Sequence, residues 1–496
     1  MNMKYTINHI IHKGIAAVGF LALLLLPAAC SDFTDIQPKG KNLLKSTNDL
    51  ELLLNNEMEL EMTDFLEVGG SVLYAYSSVP AAISVDNPSR SAYLMGWKDS
   101  EQDIKRFQLL TTSDSYYTDC YSYIGTIANP ILQQLPSASG SETVKNELKA
   151  EALALRAYFH FMVLQKYAKA YNPATADKDP GVAYMTEDVD ISTLQPKKTV
   201  KEAYTLALKD IDDAIALNAL PVKNASTMRM NKAAAYAIKA HICMAMRDYI
   251  QAEEAAKAAL ETQGDLYDYW SHATTQQSYG GVSYQSATAD YRYNPESYFI
   301  LPNLIIYSWV QPDTWNSIED GYAMRDLMPT MGKVYKGYAG GALDDYGATF
   351  GLPGWQSGRD VTNYSNGSGL CSPMMYLYLA ECEIRNGNID KGMEYLDILR
   401  AKRLPSDGFK AWKGTVTDKA TAIAKLKQTS LAENLWNGWN FIQRKRWNTE
   451  DDWKETLTRT IGTTAYTLAP TSNLWVLPIP SSVSEKNSNL TPNTNE

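Results

Sequence analysis

An internal repeat is the feature that most restricts the fold of this chain. The 34 residues from Asn231, NKAAAYAIKAHICMAMRDYIQAEEAAKAALETQG, align without a gap with the 34 residues from Cys371, CSPMMYLYLAECEIRNGNIDKGMEYLDILRAKRL, at an offset of 140. Each copy carries two helical patterns, with a Tyr early in the first. This is the period of a tetratricopeptide repeat, a helix pair that buries its apolar face by stacking on its neighbours. The chain is therefore predicted to be mainly α-helical, with a tetratricopeptide-like helical-repeat scaffold.

Small residues recur where the two helices of each copy should cross. Ala240 and Ala252 in the first copy match Ala380 and Gly392 in the second. Small side chains let the helix axes approach, so we expect a Leu at these positions to overpack the crossing. The stretch AYTLALKDIDDAIAL, residues 203–217, resembles the second helix of another unit. Three or four units are therefore expected.

The repeats are interrupted by a long irregular stretch. Helical patterns are predicted over about 113–262 and 371–447, and about 263–370 is predicted to be a loop-rich insertion. Residues 62–112 mix Gly, Ser and Tyr with short apolar runs, which predicts loops and small strands. We expect residues 42–496 to form a single body, a helical scaffold that carries a separate binding face.

The N-terminus has the pattern of an export signal. Lys4 and Lys13 precede an apolar stretch that is too short to cross a bilayer but suits a signal peptide over residues 1–29. Small residues then lead to Cys30, which resembles the lipidated cysteine of bacterial lipoproteins, although Pro27 stands where such signals usually have Leu. Residues 30–41 would then be a lipidated polar tether. The alternative is ordinary cleavage nearby, with Cys30 incidental.

Charge and cysteine spacing exclude several classes of function. Residues 30–496 carry 44 basic and 56 acidic side chains. A nucleic-acid partner requires a dense basic surface, so no nucleic-acid partner is predicted. The five cysteines, at 30, 120, 243, 371 and 382, show no C-x-x-C or zinc spacing. No metal site and no cofactor is therefore predicted. Cys243 and Cys382 lie in helical patterns and are interpreted as small core residues, with a disulfide left open.

The chain also lacks the common catalytic motifs. It has no H-E-x-x-H, no P-loop and no G-x-S-x-G. His160 and His241 lie in helical patterns and are predicted to be core or capping residues. Two carboxyl groups facing each other across a cleft would suffice for a glycosidase, and spacing alone leaves that possibility open. The missing motifs favour a protein without catalysis, and a glycosidase stays open at this point.

Aromatic side chains are concentrated in the insertion. Residues 265–315 contain eight Tyr and three Trp, with Arg292 as the single Lys or Arg. A sugar presents flat C–H faces and hydroxyl edges, so planar aromatic rings mixed with Asn, Gln and Asp suit it as a ligand. An aromatic residue can equally hold a long loop against the core, and Trp309, after an apolar run, is the strongest candidate for that role. The candidate ligand-binding residues are Trp97, Tyr269, Trp270, Tyr291, Tyr293, Trp309 and Trp315.

Several motifs, in order, resemble the SusD-like (SusD/RagB) outer-membrane nutrient-binding lipoproteins of Bacteroidetes. They include SDFTDIQPKG after Cys30 and the helical pair ANPILQQL and AEALALRAYFHFMVLQKYAKAYN. The repeat YLYLAECEIRNGNIDKGMEYLDILRAKR is similar to the family's repeat, although Asp397 replaces its usual Asn. The ending LWVLPIPSSVSEKNSNLTPN is also similar. In ENLWNGWNFIQRKRW, Asn437, Asn440 and Gln443 stand where the family usually has charged residues, which predicts that an ion network has become neutral hydrogen bonding.

The resemblance implies a function without catalysis. Members of this family bind glycan, or in some branches peptide, and act as a hinged lid on a SusC-like TonB-dependent outer-membrane channel. Their helical repeats usually face the channel and their irregular insertions usually hold the ligand. The chain is thus expected at the cell surface, anchored to outer-membrane lipid through Cys30. Three alternatives stay open: a peptide-binding member of the family, a surface glycan hydrolase, and a repeat scaffold for protein partners.

Overall fold

The structure is a computed structural model of the full chain. It describes residues 44–495 except for 71, 75–77, 87, 191, 225, 269–274, 280–281, 287–293, 305–307, 312–317, 320–321, 324–351, 353–354, 358–363, 405–408 and 436. Almost all of these described residues belong to one compact unit, Lys45–Glu496.

Helices form most of this unit. The N-terminal part contains α1 (Thr47–Leu54), α2 (Thr63–Gly69), α3 (Val79–Ser84), α4 (Arg90–Met95), α5 (Glu101–Leu110), α6 (Ser115–Tyr123), a π-helical turn (Ile124–Ala128) and α7 (Asn129–Gln134). The central and C-terminal parts contain α8 (Glu142–Tyr167), α9 (Val200–Ala216), α10 (Lys232–Met246), α11 (Tyr249–Thr262), α12 (Ser372–Arg385), α13 (Ile389–Arg400), α14 (Lys419–Glu433), α15 (Trp439–Trp447), a 3-10 turn (Asn473–Trp475) and α16 (Ser481–Lys486).

The strands are short and lie mostly in the insertion. They are β1 (Val72–Tyr74), β2 (Thr275–Tyr279), β3 (Val282–Ser286), β4 (Ser297–Phe299), β5 (Pro302–Leu304), β6 (Ser308–Val310), β7 (Ile318–Glu319), β8 (Tyr322–Ala323), β9 (Gln356–Ser357), β10 (Tyr364–Asn366), β11 (Leu370–Cys371), β12 (Leu457–Ile461) and β13 (Thr464–Leu468). All pair antiparallel: β1, β6 and β9 form a three-stranded sheet, and the others form the pairs β2–β3, β4–β11, β5–β10, β7–β8 and β12–β13.

The repeat prediction is confirmed, and the fold is mainly α. Helices α10 and α11 form one pair and α12 and α13 form the next, and each pair begins at equivalent positions of the 140-residue offset. A side chain at Gly392 would place its Cβ 2.8 Å from Ile384 Cγ1 and 3.0 Å from the carbonyl oxygen of Ala380. The helices therefore approach as closely as the small residues suggested. Helices α8 and α9 form a third pair, and α14 packs on α12 and α13.

The insertion does not separate the repeats. Helix α11 packs directly against α12, although more than a hundred residues lie between them in the sequence. The stacked helices therefore form a continuous scaffold, and the insertion leaves it and returns to it at one junction. This junction determines where the predicted ligand-binding face is attached.

The prediction of loops and strands over residues 62–112 was wrong. This region contains four short helices, α2 to α5, and a single described strand, β1. Ser89 and Ser100 begin α4 and α5 by accepting hydrogen bonds from the main-chain N–H groups of Ala92 and Asp103. Helices of six to ten residues are too short to show a clear period, and packing against the rest of the protein stabilises them.

Helix α8 is the central element of the fold. All its residues from Ala150 to Tyr167 are buried, so its sequence is not amphipathic over this part. The last carbonyl oxygens of a helix have no partner within the helix and must be satisfied from outside. The carbonyl oxygens of residues 165–168 accept hydrogen bonds of 2.6 to 2.9 Å from Lys445 Nζ, the Leu477 N–H and the Asn493 side-chain amide. The asparagine-rich ending of the chain thus caps a helix more than 300 residues earlier.

Candidate ligand-binding region and its attachment

Most of the predicted site residues lie outside the described residues. These are Tyr269, Trp270, Tyr291, Tyr293 and Trp315, together with the predicted lipidation site Cys30. Their predicted roles stay predictions. The described residues show how the segments that carry them are attached to the scaffold.

Trp309 lies in the three-stranded sheet. It is in β6, the middle strand, where its Cα pairs with that of Leu73 in β1 and with that of Ser357 in β9. The sheet therefore joins the N-terminal region to two distant parts of the insertion. These are the two regions of the sequence from which the candidate aromatics were drawn.

A compact apolar cluster supports this sheet. Trp355 is only 1% exposed, and its indole N–H donates to the carbonyl oxygen of Thr460 at 3.0 Å. It packs with Leu73, Leu352 and Ile461, so the cluster brings together β1, the insertion and the β12–β13 hairpin. Trp355 was not among the candidate residues, because a lone Trp near Gly and Pro gives no local sign of burial.

Trp97 is an interior residue of the N-terminal region. It is 5% exposed, and its indole N–H donates to the carbonyl oxygen of Val68 at 3.2 Å. The guanidinium carbon of Arg459 lies 3.5 Å from the centre of the indole ring. The backbone of Trp97 has a φ of +43°, which is strained for a bulky side chain and needs surrounding contacts to hold it. These contacts give Trp97 a supporting role, and a ligand contact at this residue stays a prediction.

Arg459 is itself an unusual partner for Trp97. It is 2% exposed and donates to the main-chain oxygens of Glu67, at 2.6 Å, and Met95, at 3.3 Å. Burial lowers the pKa of Arg459 to about 9, because a desolvated charge is unfavourable. Stacking on an indole face offsets part of this cost.

Side chains hold the main chain where the insertion begins. The carbonyl oxygens of residues 263–265 accept hydrogen bonds from the hydroxyl groups of Tyr298, at 2.7 Å, Tyr376, at 3.1 Å, and Ser372, at 2.6 Å. Tyr298 lies in the insertion, while Tyr376 and Ser372 lie in α12. The first residues of the insertion are thus bound both to the scaffold and to a later part of the insertion.

Arg403, which follows α13, joins this junction to the scaffold. Its guanidinium donates to the Tyr267 carbonyl oxygen at 2.8 Å and to Glu296 Oε1 at 2.8 Å. It also donates to both carboxylate oxygens of Glu433, at 2.9 and 3.1 Å. Burial and the nearby Glu433 charge raise the pKa of Glu296, against the opposing effect of Arg403. The spacing of the sequence motifs did not reveal this cluster. Glu296 is the single charged residue in the stretch 294–304, however, and a lone charge among apolar residues indicates a buried ion pair.

The two helical histidines are interior residues, as predicted. His160 donates from Nδ1 to the Arg156 carbonyl oxygen at 2.9 Å, and its Nε2 accepts from the Met185 N–H at 2.9 Å. His241 Nδ1 lies 2.6 Å from the hydroxyl oxygen of Tyr378. Burial lowers the pKa of both rings to about 3, so both are neutral near pH 7.

The expected replacement of an ion network by amides is only partly correct. Asn440 donates to the Leu431 carbonyl oxygen at 3.2 Å, and Gln443 donates to the Tyr378 hydroxyl at 2.8 Å, so both make neutral hydrogen bonds. Gln443 also accepts from Arg446, which forms a charged pair with Glu381. An ion pair is therefore retained here, and Gln443 is the amide that bonds to it.

This retained pair fastens α15 to α12. Arg446 donates to both carboxylate oxygens of Glu381 at 2.6 Å, and Arg385 also contacts this carboxylate. Burial alone would raise the pKa of Glu381, but the charges of Arg446 and Arg385 lower this pKa to about 2. A carboxylate held in this way stays ionised and cannot act as a general acid near neutral pH.

The described residues contain no metal cluster, disulfide or membrane-spanning helix. Within the described ranges, no group of three or more His, Cys, Asp or Glu side chains is arranged to hold a metal ion. The four described cysteines, 120, 243, 371 and 382, are free thiols. Cys243 and Cys382 are fully buried, as predicted for core residues. No helix in the described part of the chain is long and apolar enough to cross a membrane.

Comparison with known proteins agrees with this architecture. The model of a SusD-like family, described as "Starch-binding associating with outer membrane", matches residues 32–244. A SusD superfamily protein from Bacteroides thetaiotaomicron superposes with a TM-score of 0.59 at 15% identity, over 90% of this chain and 99% of that one. One from Bacteroides vulgatus reaches a TM-score of 0.62 at 14% identity, over 92% and 100%. A structure described as a laminarin-binding SusD-like protein gives 0.55 at 15% identity, over 90% and 99%. A search of curated proteins finds no match.

Proposed function

Because this chain belongs to the SusD-like family, we propose that it is a cell-surface lipoprotein that captures glycan and delivers it to a SusC-like TonB-dependent outer-membrane channel. The observation that carries the proposal is the family match, whose description combines starch binding with the outer membrane. The same fold extends over about nine-tenths of the chain in the solved structures. The proposed role is binding without catalysis.

Two features support glycan as the ligand class. The insertion supplies the aromatic and amide side chains that sugar faces and hydroxyl groups require. The beginning of the insertion is fixed to the scaffold by hydrogen bonds from Tyr298, Tyr376 and Ser372, so a platform built there starts from a rigid base. One structural relative is described as laminarin-binding, which makes a glucan a reasonable first probe.

The proposed location follows from the N-terminal segment and the family. Cys30 would carry the lipid, and residues 30–41 would tether the body to the outer membrane. Acyl chains on one cysteine can anchor a protein stably, since each buried methylene contributes about 0.8 kcal/mol. Mass spectrometry of membrane-fraction protein tests this directly: a diacylated peptide beginning at Cys30 is expected, and an unacylated N-terminus beyond Cys30 would contradict it.

Binding should be measured by isothermal titration calorimetry against soluble starch, laminarin, other polysaccharides and a peptide mixture. We expect saturable binding to at least one polysaccharide, and Trp270→Ala or Tyr293→Ala should weaken it at least tenfold. Tyr395→Ala is the matched control, because Tyr395 is a half-buried aromatic residue of α13, and it should leave binding unchanged. Reducing-sugar release, monitored in the same samples, should stay at the level of a protein-free blank.

The open alternatives give different results in this experiment. Binding to peptide alone would favour the peptide-binding branch of the family, and sugar release would establish a hydrolase. If neither class of ligand binds and the aromatic substitutions change nothing, a scaffold for protein partners would be favoured. The channel partnership is tested separately, by pull-down from detergent-solubilised outer membrane with identification of a TonB-dependent channel.

A further inference from the structure

Three Asn-Gly pairs occur in this chain, at 366–367, 386–387 and 437–438. An Asn that is followed by Gly can lose its side-chain amide, because Gly has no Cβ to hinder the attack of its main-chain nitrogen on the Asn side-chain carbonyl carbon. The three pairs lie in different surroundings. We propose that Asn386 is the site at which the folded protein undergoes this covalent modification, and that the fold protects the other two pairs.

Asn386 lies in the turn between α12 and α13. Asn386 and Gly387 are both exposed, and a Cβ at Gly387 would meet no atom within 4 Å. Within the part of the chain that the structure describes, the Asn386 side chain makes no hydrogen bond. Its amide can therefore rotate toward the main chain, and the turn has room for the ring that the reaction forms.

The hydrogen bonds of this turn are those of a helix end. The attacking Gly387 N–H donates to the Ile384 carbonyl oxygen at 3.2 Å, and the Asn388 N–H donates to the Glu383 carbonyl oxygen at 2.8 Å. Together with the φ of +83° at Gly387, these two bonds form the motif that ends many helices. Helix ends open locally at little cost in free energy, so the Gly387 nitrogen becomes available while the scaffold stays folded.

The Asn366 amide, in contrast, is fixed at both of its polar atoms. Oδ1 accepts from the Leu301 N–H at 3.0 Å, and Nδ2 donates to the Phe299 carbonyl oxygen at 3.1 Å. Gly367 is buried, and its N–H donates to the Leu301 carbonyl oxygen at 3.1 Å. Both the attacking nitrogen and the leaving amide are therefore bound to another segment of the chain.

The Asn437 amide is held in a similar way. Oδ1 accepts from the Trp439 N–H at 3.0 Å, and Nδ2 donates to Asn434 Oδ1 at 3.1 Å. Gly438 is buried, and a Cβ there would lie 2.7 Å from a ring carbon of Phe65. This pair therefore lacks both the free amide and the space that Asn386 and its neighbour have.

The reaction at Asn386 needs water as its one co-reactant. The Gly387 nitrogen bonds to Asn386 Cγ, the Cγ–Nδ2 bond breaks, and the amide leaves as ammonia with the proton of the Gly387 N–H. Water then opens the cyclic imide: breaking the new N–Cγ bond leaves aspartate, and breaking the original peptide bond leaves isoaspartate, whose main chain runs through the side chain. Either product places a carboxylate at the C-terminus of α12, where the helix dipole disfavours negative charge.

Incubation of the folded protein at pH 8, followed by mass spectrometry of proteolytic peptides, measures the modification. Electron-transfer fragmentation locates it and distinguishes aspartate from isoaspartate. Asn366 and Asn437 are internal controls in the same sample, and a parallel incubation in urea gives the rates in the unfolded chain. Asn386→Gln is the blocked variant, because a Gln side chain would have to close a larger ring.

In the folded protein we expect modification at Asn386 to be at least tenfold faster than at Asn366 or Asn437. In urea the three rates should agree within about threefold, because the dipeptide alone then sets the rate. Asn386→Gln should abolish the modification in its own peptide and leave the other two sites unchanged. An Asn386 that stays intact in the folded protein while the unfolded chain reacts would overturn the inference, and so would equal rates at the three sites in the folded protein.

Discussion

Replacing Asp397 by Asn should destabilise this protein, even though the resemblance to the family leads one to expect Asn at this position. Asp397 is nearly buried at the end of α13 and uses both carboxylate oxygens. Oδ1 accepts from Arg400 at 2.6 Å, and Oδ2 accepts from the main-chain N–H groups of Trp412 and Lys413 at 2.9 and 2.8 Å. An Asn side chain has one acceptor oxygen and one donor NH2 group, so it cannot serve both sets of donors.

The magnitude follows from which contact is lost. The amide oxygen will face Trp412 and Lys413, because the other orientation would point the NH2 group at two N–H donors. The NH2 group then faces Arg400, and one charge-assisted hydrogen bond is lost, worth about 1.5–3 kcal/mol. Arg400 keeps its bond to the Lys410 carbonyl oxygen and its stacking on Trp412, at 3.4 Å, which offsets part of the loss. We expect a decrease of about 2 kcal/mol in the free energy of unfolding.

Urea unfolding at pH 7, followed by far-UV circular dichroism, measures this change. Asp452→Asn is the matched control, because the Asp452 side chain is 65% exposed and its pair with Lys419 lies at the surface. Such an exposed pair contributes roughly 0–1 kcal/mol, so the control should unfold close to the unmodified protein. If Asp397→Asn lowers stability no more than Asp452→Asn, the Asp397 charge is not needed and the argument from paired acceptors is wrong.

Two further substitutions test the packing and the buried charges. Gly392→Leu should lower the free energy of unfolding, measured by thermal unfolding, by about 1–3 kcal/mol, because its Cβ alone would lie 3.0 Å from the main-chain oxygen of Ala380. A stability equal to that of the unmodified protein would contradict the close helix crossing. Burial lowers the pKa of Lys445 to about 7 from 10.5, so the unfolded chain binds this proton more tightly and stability should rise as pH increases from 7 to 10.5. Between pH 7 and pH 9 the free energy of unfolding should rise by about 2 kcal/mol through this residue. Urea unfolding of the unmodified protein and of Lys445→Met at each pH measures this rise, because Lys445→Met lacks the titrating group. Parallel stability profiles for the two proteins would show that Lys445 does not titrate in this way.

Patterns within a helix pair were readable in the sequence because both members of each contact lie close together in the chain. Ala240 and Ala252 marked one crossing and Ala380 and Gly392 marked the other, and the structure packs both pairs as expected. His160 and His241 were also interpreted correctly, since a polar ring on an apolar helix face is buried with the face. The secondary-structure prediction over residues 62–112 was wrong because the short helices there are stabilised by contacts with distant segments, which local patterns do not show.

The attachment of the insertion could not have been predicted in the same way. Arg403 bonds to Glu296, which is 107 residues away, and Trp355 bonds to Thr460, which is 105 residues away. Local spacing carries no information about such pairs. Glu296 offered a hint as a lone charge in an uncharged stretch, but nothing nearby identified its partner.

The sequence by itself determined the repeat scaffold, the family resemblance and the aromatic composition of the insertion, because periodicity, motif order and composition are properties of neighbouring residues. The tertiary structure alone decided how these parts are joined. It stacked α11 on α12 and joined Tyr267 to Glu296 through Arg403. It also placed Trp97 against Arg459 in the interior. The physical reason is that a buried charge or indole N–H must find a partner wherever the fold brings one, and that place is set by packing rather than by distance along the chain.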